Sequence, residues 1–337
     1  MGLTVAVAGA SGYGGGELLR LLDAHPDLEV GAVTAHGNAG GRLGDVHPQL
    51  VTLADRVLLP TSPDTLAGAD LVFLALPHGL SGPLAAALPP ETRVVDLGAD
   101  HRLADAAAYH AYYQGSHPGT WTYGLPELPG QRERIAASRR VANTGCYAAA
   151  VALALAPLIA AGTVEPDDVV AVAASGTSGA GRTSRSALSG SEVMGDLSPY
   201  KVGTHQHTPE ILQATGARSM SFTPVLAPMP RGILATVTAR PTGPCDEQSV
   251  RDVFARAYAG ERFVRVLPEG QWPHTAATAG SNSCHLQVTV DRGSGRVVVC
   301  AALDNLGKGA AGQAVQCANL VLGLPEAAGL SPNGVAP

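Results

Sequence analysis

The chain has 337 residues, 45% hydrophobic and 15% charged, with 41 glycines and a net charge of −6. That length suits two domains around one cleft, and with no like-charge block or polar tract it excludes a disordered protein. The acidic balance argues against nucleic acid or an anionic membrane as partner, and no apolar run reaches the ~20 residues that span a bilayer.

The N-terminus runs straight into Leu3–Ala8, a buried-strand pattern, without a basic leader or cleavable segment. Gly9-Ala10-Ser11-Gly12-Tyr13-Gly14 then turns the chain into a helix expected from about Gly15 to Asp23. Leu28–Ala35, Asp70–Leu76 and Arg93–Leu97 read as further strands. Short apolar runs separated by helical segments mark βαβ units and a mainly parallel sheet. A strand at Arg140–Ala142 ends in Asn143-Thr144-Gly145-Cys146, and a helix follows to about Ala161.

Beyond that point the texture changes. Asp168–Ala174 is a strand leading into the loop Ser175–Arg182. Ser219–Leu226 and Gly232–Arg240 are long strands, with a helix between Asp246 and Ala259. Ser283–Asp291 and Arg296–Asp304 flank Arg292-Gly293-Ser294-Gly295, a hairpin signal. This half is expected to be a mixed or antiparallel sheet packed on helices. Gly309–Leu322 forms a last helix returning to the first domain, and Leu330–Pro337 is expected to fray.

The five cysteines, Cys146, Cys245, Cys284, Cys300 and Cys317, have an odd count and no CxxC spacing. A disulfide framework or zinc site is not expected, and the reading is a reduced, soluble, cytoplasmic protein. Cys146 stands apart because it opens a helix directly after a strand. N-terminal amides there stabilise a thiolate. Two readings stand side by side: a nucleophile, or a buried structural thiol. Asn143 is a candidate oxyanion donor.

Gly9, Gly12 and Gly15 follow a strand and open a helix, spaced as a variant of the dinucleotide-binding loop. Glycines let the backbone approach a pyrophosphate, and helix amides bind its charge. The alternative is a plain tight βα turn. After the second strand the segment Thr34-Ala35-His36-Gly37-Asn38, with Arg42 nearby, lacks the carboxylate that reads an NAD ribose. That favours a 2′-phosphate and hence NADP.

His205-Gln206-His207-Thr208-Pro209-Glu210 is a second constellation. Thr208 is the expected cap, with Pro209 and Glu210 in the first helical turn. His207 can then serve as a general acid/base with Glu210 orienting it. Solvated surface histidines are the competing reading, and no third ligand stands at a metal-site spacing. Ser175–Arg182 and Asn305–Gly309 read as loops lining a cofactor or phosphate with amides and hydroxyls, or as plain connectors. Leu76-Pro77-His78-Gly79 lies where a nicotinamide ribose would sit. Arg102 is a candidate carboxylate or phosphate clamp.

Together, GASGYGGGELLRLL, LALPHG, DLGADHRL, YGLPEL, NTGCYAAA, SGTSGAGR, HQHTPEI and DNLGKGAAGQAVQ resemble the N-acetyl-γ-glutamyl-phosphate reductase family, relatives of aspartate-semialdehyde dehydrogenase. The resemblance covers nearly the whole chain, and the NTGCY and HQHTPEI pair carries most of its specificity. It implies a Rossmann-like doubly wound α/β domain (1–145 plus 306–337) and a mixed-sheet α+β catalytic and dimerisation domain (146–305). It implies NADPH-dependent reduction of N-acetyl-γ-glutamyl phosphate through a Cys thioester, in arginine biosynthesis. Cys146 is the implied nucleophile. His207 is the implied acid/base with His205 as rival, and Asn143 and Glu210 assist. Arg102, His205 and Ser178 are expected on the substrate. Gly9, Ser11, Gly12, Tyr13, Gly14, Thr34, His36, Pro77, His78, Gly79, Ser175, Gly176, Gly179 and Asn305 are expected on NADP. No metal is expected, and the partner is a second copy, as homodimer or homotetramer.

This chain departs from the family pattern at Thr144, commonly Pro, at Gly98, commonly Ser, and at His101, commonly Phe or Tyr. Aspartyl phosphate and a carrier-linked α-aminoadipyl phosphate of lysine biosynthesis are rival substrates on the same machinery. A dinucleotide-binding regulator without chemistry is the rival from another class.

Overall fold

The computed structural model describes residues 2–183 and 186–336. The chain forms two compact units, Met1–Thr144 with Ala310–Leu330, and Gly145–Gly309 with Ser331–Pro337.

The first unit is built on a seven-stranded sheet. Its strands are β1 (Leu3–Ala8), β2 (Leu28–Ala35), β3 (Leu59–Pro60), β4 (Leu71–Leu74), β5 (Val94–Asp96), β6 (Thr122–Gly124) and β7 (Arg140–Asn143). Their order is β3-β2-β1-β4-β5-β7-β6, and every pairing is parallel. Val5 to Ala8 and all of β4 are fully buried, as apolar runs covered on both faces require. The order reverses between β1 and β4, and sheets of this kind bind ligands at the carboxyl ends of the strands at such a switch point. Gly9 has φ +83. A Cβ there would stand 2.2 Å from the Ala75 carbonyl oxygen. Only glycine lets the two loops meet.

The first helix is Tyr13–Asp23 and starts two residues earlier than expected, with Gly12 as its N-cap. β3 and β6 escaped the sequence reading because they are edge strands of two and three residues. The last regular helix is Gly312–Leu322 and packs in this unit against Tyr13–Asp23 and Gln131–Ala136. It starts three residues later than expected, because Gly307–Ala311 winds as a wider π turn. Its buried Asn319 accepts from His25 Nε2 at 3.0 Å and donates to the Glu326 and Ala328 carbonyls.

Asp96 ends β5 with no solvent exposure. Burial pushes its carboxyl up to about 7, against the opposing pull of the Ser81 hydroxyl and the Gly98 amide. An unfolded Asp titrates near ~3.9. Between those values the folded chain holds a proton that the unfolded chain releases, so this group's contribution to stability falls as pH rises through the window. In urea titrations, the Asp96→Asn variant gains on wild type from about pH 4 to about pH 7 and holds a constant lead above. A pH-independent difference would refute this.

The second unit carries β8 (Val169–Ser175), β9 (Ser198–Pro199), β10 (Met220–Leu226), β11 (Ile233–Ala239), β12 (Val264–Val266), β13 (Cys284–Val290) and β14 (Val297–Leu303). The order is β12-β13-β14-β11-β8-β10-β9, a mixed sheet. β12–β13 and β8–β10 are parallel, and the other pairs run antiparallel. The helices Cys146–Ala160 and Glu247–Ala257 cover it. The first of these is apolar nearly all round, as a helix buried on several sides must be. Alternation sets the covered face: Val169, Ala171 and Ala173 of β8 and Ile233, Ala235 and Val237 of β11 are buried. The opposite face shows Val172, Thr236 and Cys300 in one register row and Ala174, Leu234 and Ala302 in the next.

The C-terminal tail corrects the expectation of fraying. The Ser331 carbonyl accepts from Asn282 N–H at 2.9 Å, Val335 N–H donates to the Ala279 carbonyl at 2.9 Å, and Ser283 Oγ donates to the Pro332 carbonyl at 2.7 Å. Three bonds to the second unit hold a segment that looked featureless; Pro337 lies outside the described residues.

Candidate active site

In the second unit Cys146 is the first residue of its helix, after the extended N-cap Gly145, with no acidic side chain in the first turn. The positive end of the helix dipole lies at the thiol, and the one carboxylate seen at this helix end, Glu210, is bonded to the Gly145 N–H. Cys146 is partly exposed, whereas Cys284 and Cys317 are buried. Gly309 passes so close that a Cβ there would stand 2.7 Å from Cys146 Cβ. The glycine of the DNLGKG run is therefore needed to let the chain pass the thiol.

The two histidines differ sharply. His205 is 3% exposed and sits among the rings of Tyr147, Tyr200, Phe222 and His207, at centroid distances of 5.4, 5.7, 5.3 and 4.8 Å. Its Nδ1 accepts the His207 backbone N–H at 3.1 Å. Burial, aided by the neighbouring His207 and Lys201, pushes it down to about 3. His205 is thus a neutral ring near pH 7, its Nδ1 already committed. His207 is less buried and its ring lies 6.0 Å from that of Tyr147, the residue after Cys146.

Helix His207–Thr215 begins at His207 with Gln206 as N-cap, two residues before the expected cap at Thr208. Thr208 is not the cap; its N–H already bonds the His205 carbonyl at 3.0 Å. Glu210, expected to orient His207, is 1% exposed, and its Oε1 accepts the Gly145 N–H at 2.7 Å. It ties the histidine helix to the N-cap of the cysteine helix.

Tyr147 and Tyr200 went unread in the sequence. Tyr200 OH donates to Tyr147 OH at 3.0 Å. Burial pushes Tyr200 up to about 12 and Tyr147 higher still, and the nearby charge of Cys146 acts in the same direction on both. The only signal was adjacency: Tyr147 follows the nucleophile candidate, while Tyr200 lies far off in sequence.

The Ser175–Arg182 loop departs from its reading as an amide cradle. Ser175 closes β8, and the amides of Gly176, Thr177 and Ser178 donate to the carbonyls of Gly232, Met229 and Pro230 at 2.9, 2.9 and 3.1 Å. These three amides are committed to the chain. Gly179 sits with its Cα facing Ser175 Oγ and Asn305 Nδ2. Asn305 donates to Ser178 Oγ at 2.9 Å and accepts Gly232 N–H at 2.8 Å. Next to it, fully buried Asp304 pairs with Arg231 at 2.8 Å and accepts from the amides of Gly280, Leu306 and Gly307. Arg231 was missed because an isolated arginine in a loop carries no pattern.

In the first unit the glycine loop follows β1. The amides of Gly14 and Gly15 lie in the first helical turn, where no helical acceptor is available. No acidic residue stands in that turn, and a Cβ at Gly14 would meet nothing within 4 Å. These features fit a dinucleotide pyrophosphate. Ser11 and Tyr13 flank the loop, with Tyr13 37% exposed. Thr34 is fully buried and its hydroxyl bonds that of Thr61 at 2.8 Å. His36 is exposed just after β2, and residues 34–41 carry no carboxylate.

After β4, the segment with Pro77, His78 and Gly79 is braced by Asp100. Asp100 Oδ1 takes His78 Nδ1 and the Gly79 amide, each at 2.7 Å, and Oδ2 takes the Gly82 amide at 2.8 Å. Arg102 is 6% exposed, with Nε on the Asn143 carbonyl at 2.7 Å and Nη2 on the Leu97 carbonyl at 2.8 Å. Its visible work is to hold the ends of β5 and β7 together. Asn143 Nδ2 donates to the Ala310 carbonyl at 2.9 Å, and its buried side-chain oxygen has no partner. His101 keeps the aromatic role of its position, stacking on Trp121 at 3.7 Å.

A parallel doubly wound sheet with a glycine loop at its switch point, and a mixed sheet bearing a cysteine at a helix N-terminus whose next residue meets two histidine rings, define a semialdehyde dehydrogenase. Residues 4–138 match the semialdehyde dehydrogenase NAD-binding domain, and residues 146–305 match the semialdehyde dehydrogenase dimerisation domain. Among solved structures, aspartate semialdehyde dehydrogenase II from Vibrio cholerae aligns with TM-score 0.71 at 15% identity, over 96% of this chain and 98% of that one. A probable aspartate-semialdehyde dehydrogenase from Pseudomonas aeruginosa aligns with TM-score 0.71 at 22% identity, over 96% and 99%. These likenesses speak for the fold. Curated relatives from Salinispora tropica and Frankia casuarinae, each named N-acetyl-gamma-glutamyl-phosphate reductase, are 69% and 62% identical over 100% of both chains. The chain belongs to the N-acetyl-γ-glutamyl-phosphate reductase family.

Proposed function

We propose that this protein reduces N-acetyl-γ-glutamyl phosphate to N-acetyl-L-glutamate 5-semialdehyde and phosphate with NADPH, as a step of L-arginine biosynthesis. The observation that carries the reading is 69% identity along the whole chain to a relative of that name. The relatives' names favour the N-acetylglutamyl substrate over the aspartyl and carrier-linked aminoadipyl ones. A non-catalytic regulator has no use for a partly exposed thiol at a helix N-terminus beside a histidine.

The Cys146 thiolate attacks the acyl carbon, the C–O bond to phosphate breaks, and a thioester remains on the sulfur. The first-turn amides of the Cys146–Ala160 helix stabilise the oxyanion. Asn143 Nδ2 gives one of its two N–H groups to the Ala310 carbonyl and can offer the second alongside them. Glu210 keeps the Gly145 N-cap in place, and so the thiol's approach. NADPH supplies the hydride that reduces the thioester. His207 protonates the resulting oxygen and takes that proton back as the C–S bond breaks and the semialdehyde leaves. In the first unit, Gly12 to Gly15 receive the pyrophosphate, and Asp100 holds the His78 loop on the same sheet edge.

The reverse reaction tests the reading. The semialdehyde, phosphate and NADP⁺ together produce NADPH absorbance, and omitting phosphate abolishes it. Activity without phosphate, or equal activity with NAD⁺, would overturn the thioester route or the cofactor preference respectively.

The dimerisation-domain match supports a homo-oligomer, and the open face of β8, β11 and β14 is the proposed contact. Val172 and Leu234 are 43% and 37% exposed there, and its central rows carry no charge. Light scattering gives at least twice the chain mass for wild type, and Leu234→Arg lowers it to one chain. A monomeric wild type would refute the assembly. Among the described residues, no helix is long and apolar enough to cross a membrane.

A further inference from the structure

We infer that His47 is a positioning residue for the dinucleotide loop; the inference rests on the NADPH reading above. His47 lies outside every motif in the sequence, in the turn after the short helix Leu43–Val46, and is 1% exposed. Its Nε2 stands 3.0 Å from the carbonyl oxygen of Ala10, inside the glycine loop. A carbonyl can only accept, so Nε2 carries the proton. Nδ1 stands 3.3 Å from the Gln49 side-chain amide nitrogen, a donor, so Nδ1 accepts. Both contacts select one neutral tautomer, and both ring nitrogens are used.

Ala10 is therefore held at both ends. Its N–H donates to the Thr34 carbonyl at 2.9 Å, alongside the Gly9 N–H at 3.0 Å, while its carbonyl is taken by His47. The loop that leads into the amides of Gly14 and Gly15 is pinned before any ligand arrives. Such preorganisation lowers the ordering cost of binding.

Gly16 carries the second half of the argument. A Cβ at Gly16 would stand 2.2 Å from His47 Cε1 and 2.6 Å from Nδ1. Gly16 is buried inside the helix, where an alanine would favour helix formation. The last glycine of the Gly14-Gly15-Gly16 run thus makes room for an imidazole, not for a phosphate. The ring fills the space that this glycine leaves.

The test measures two ligands on the full chain: NADPH, and adenosine 2′-monophosphate, which lacks the pyrophosphate. His47→Phe keeps ring volume and removes the donor. Its NADPH dissociation constant rises about 5- to 100-fold, as for a buried carbonyl left unpaired. Its affinity for adenosine 2′-monophosphate stays within about twofold, and the KM for NADPH rises with little change in kcat. Gly16→Ala, which pushes the ring off Ala10 without weakening the helix, gives the same pattern and serves if the first variant does not fold. Unchanged NADPH affinity in either folded variant overturns the inference. So does a parallel loss of both ligands, which would make His47 a general stabiliser of the unit. A wild-type chain that fails to bind NADPH sinks the cofactor reading, and this inference with it.

Discussion

Cys146→Ser abolishes turnover, by on the order of 10⁴-fold or more, and leaves NADPH affinity at the wild-type level. A serine hydroxyl fits the same space but is not ionised near neutral pH, so the attacking group is lost while the fold is kept. The helix N-terminus can stabilise a thiolate but cannot make an alcohol into one. The nucleotide loop lies in a different unit and keeps its own hydrogen bonds. Mass spectrometry after mixing with substrate shows an acyl adduct on Cys146 in wild type and none in the variant. Iodoacetamide separates this thiol from three of the other four: Cys284 and Cys317 are buried, and burial pushes Cys300 up. Retained turnover in the serine variant would remove the thioester route.

His207→Asn lowers kcat by ~10²–10⁴-fold, the range for loss of a general acid/base. His205→Asn costs less in turnover, because His205 does not change charge near neutral pH. Burial pushes it down to about 3, and its Nδ1 holds the His207 amide instead of a substrate proton. Its loss acts through the placement of His207 and shows as a lowered unfolding midpoint. The pH profile of kcat/KM separates the two. The His207 variant loses the limb belonging to its acid/base group, whereas the His205 variant keeps that limb at reduced amplitude. If His205→Asn proves the more damaging change in a fully folded protein, the roles are exchanged.

Much of the site was legible because its signals are local. A thiol at the strand-to-helix junction, a glycine loop after a buried strand and a His-x-His-x-Pro-Glu run each occupy a few consecutive residues. Local patterns also located the long strands to within one or two residues, since alternation and apolar runs are periodic. Partner choice was not legible. Glu210 was read as serving His207 three residues away, and nothing local showed its bond to Gly145, 65 positions earlier. The Ser175 loop was read as lining a ligand with amides and hydroxyls or as a connector, and the chain at Met229–Gly232 takes three of those amides. The tail beyond Leu330 carried no pattern, and three bonds to the second unit hold it.

The sequence by itself determined the family, the alternation of strand and helix, the thiol and the pair of histidines, because these depend on residue type and spacing. Only the tertiary structure decided which histidine burial keeps neutral, what Glu210 braces, and why position 16 is glycine. Those answers depend on which groups lose water and which donors meet which acceptors. Burial and hydrogen-bond pairing are set by segments distant in the chain, such as His47 against Ala10, and no local pattern encodes them.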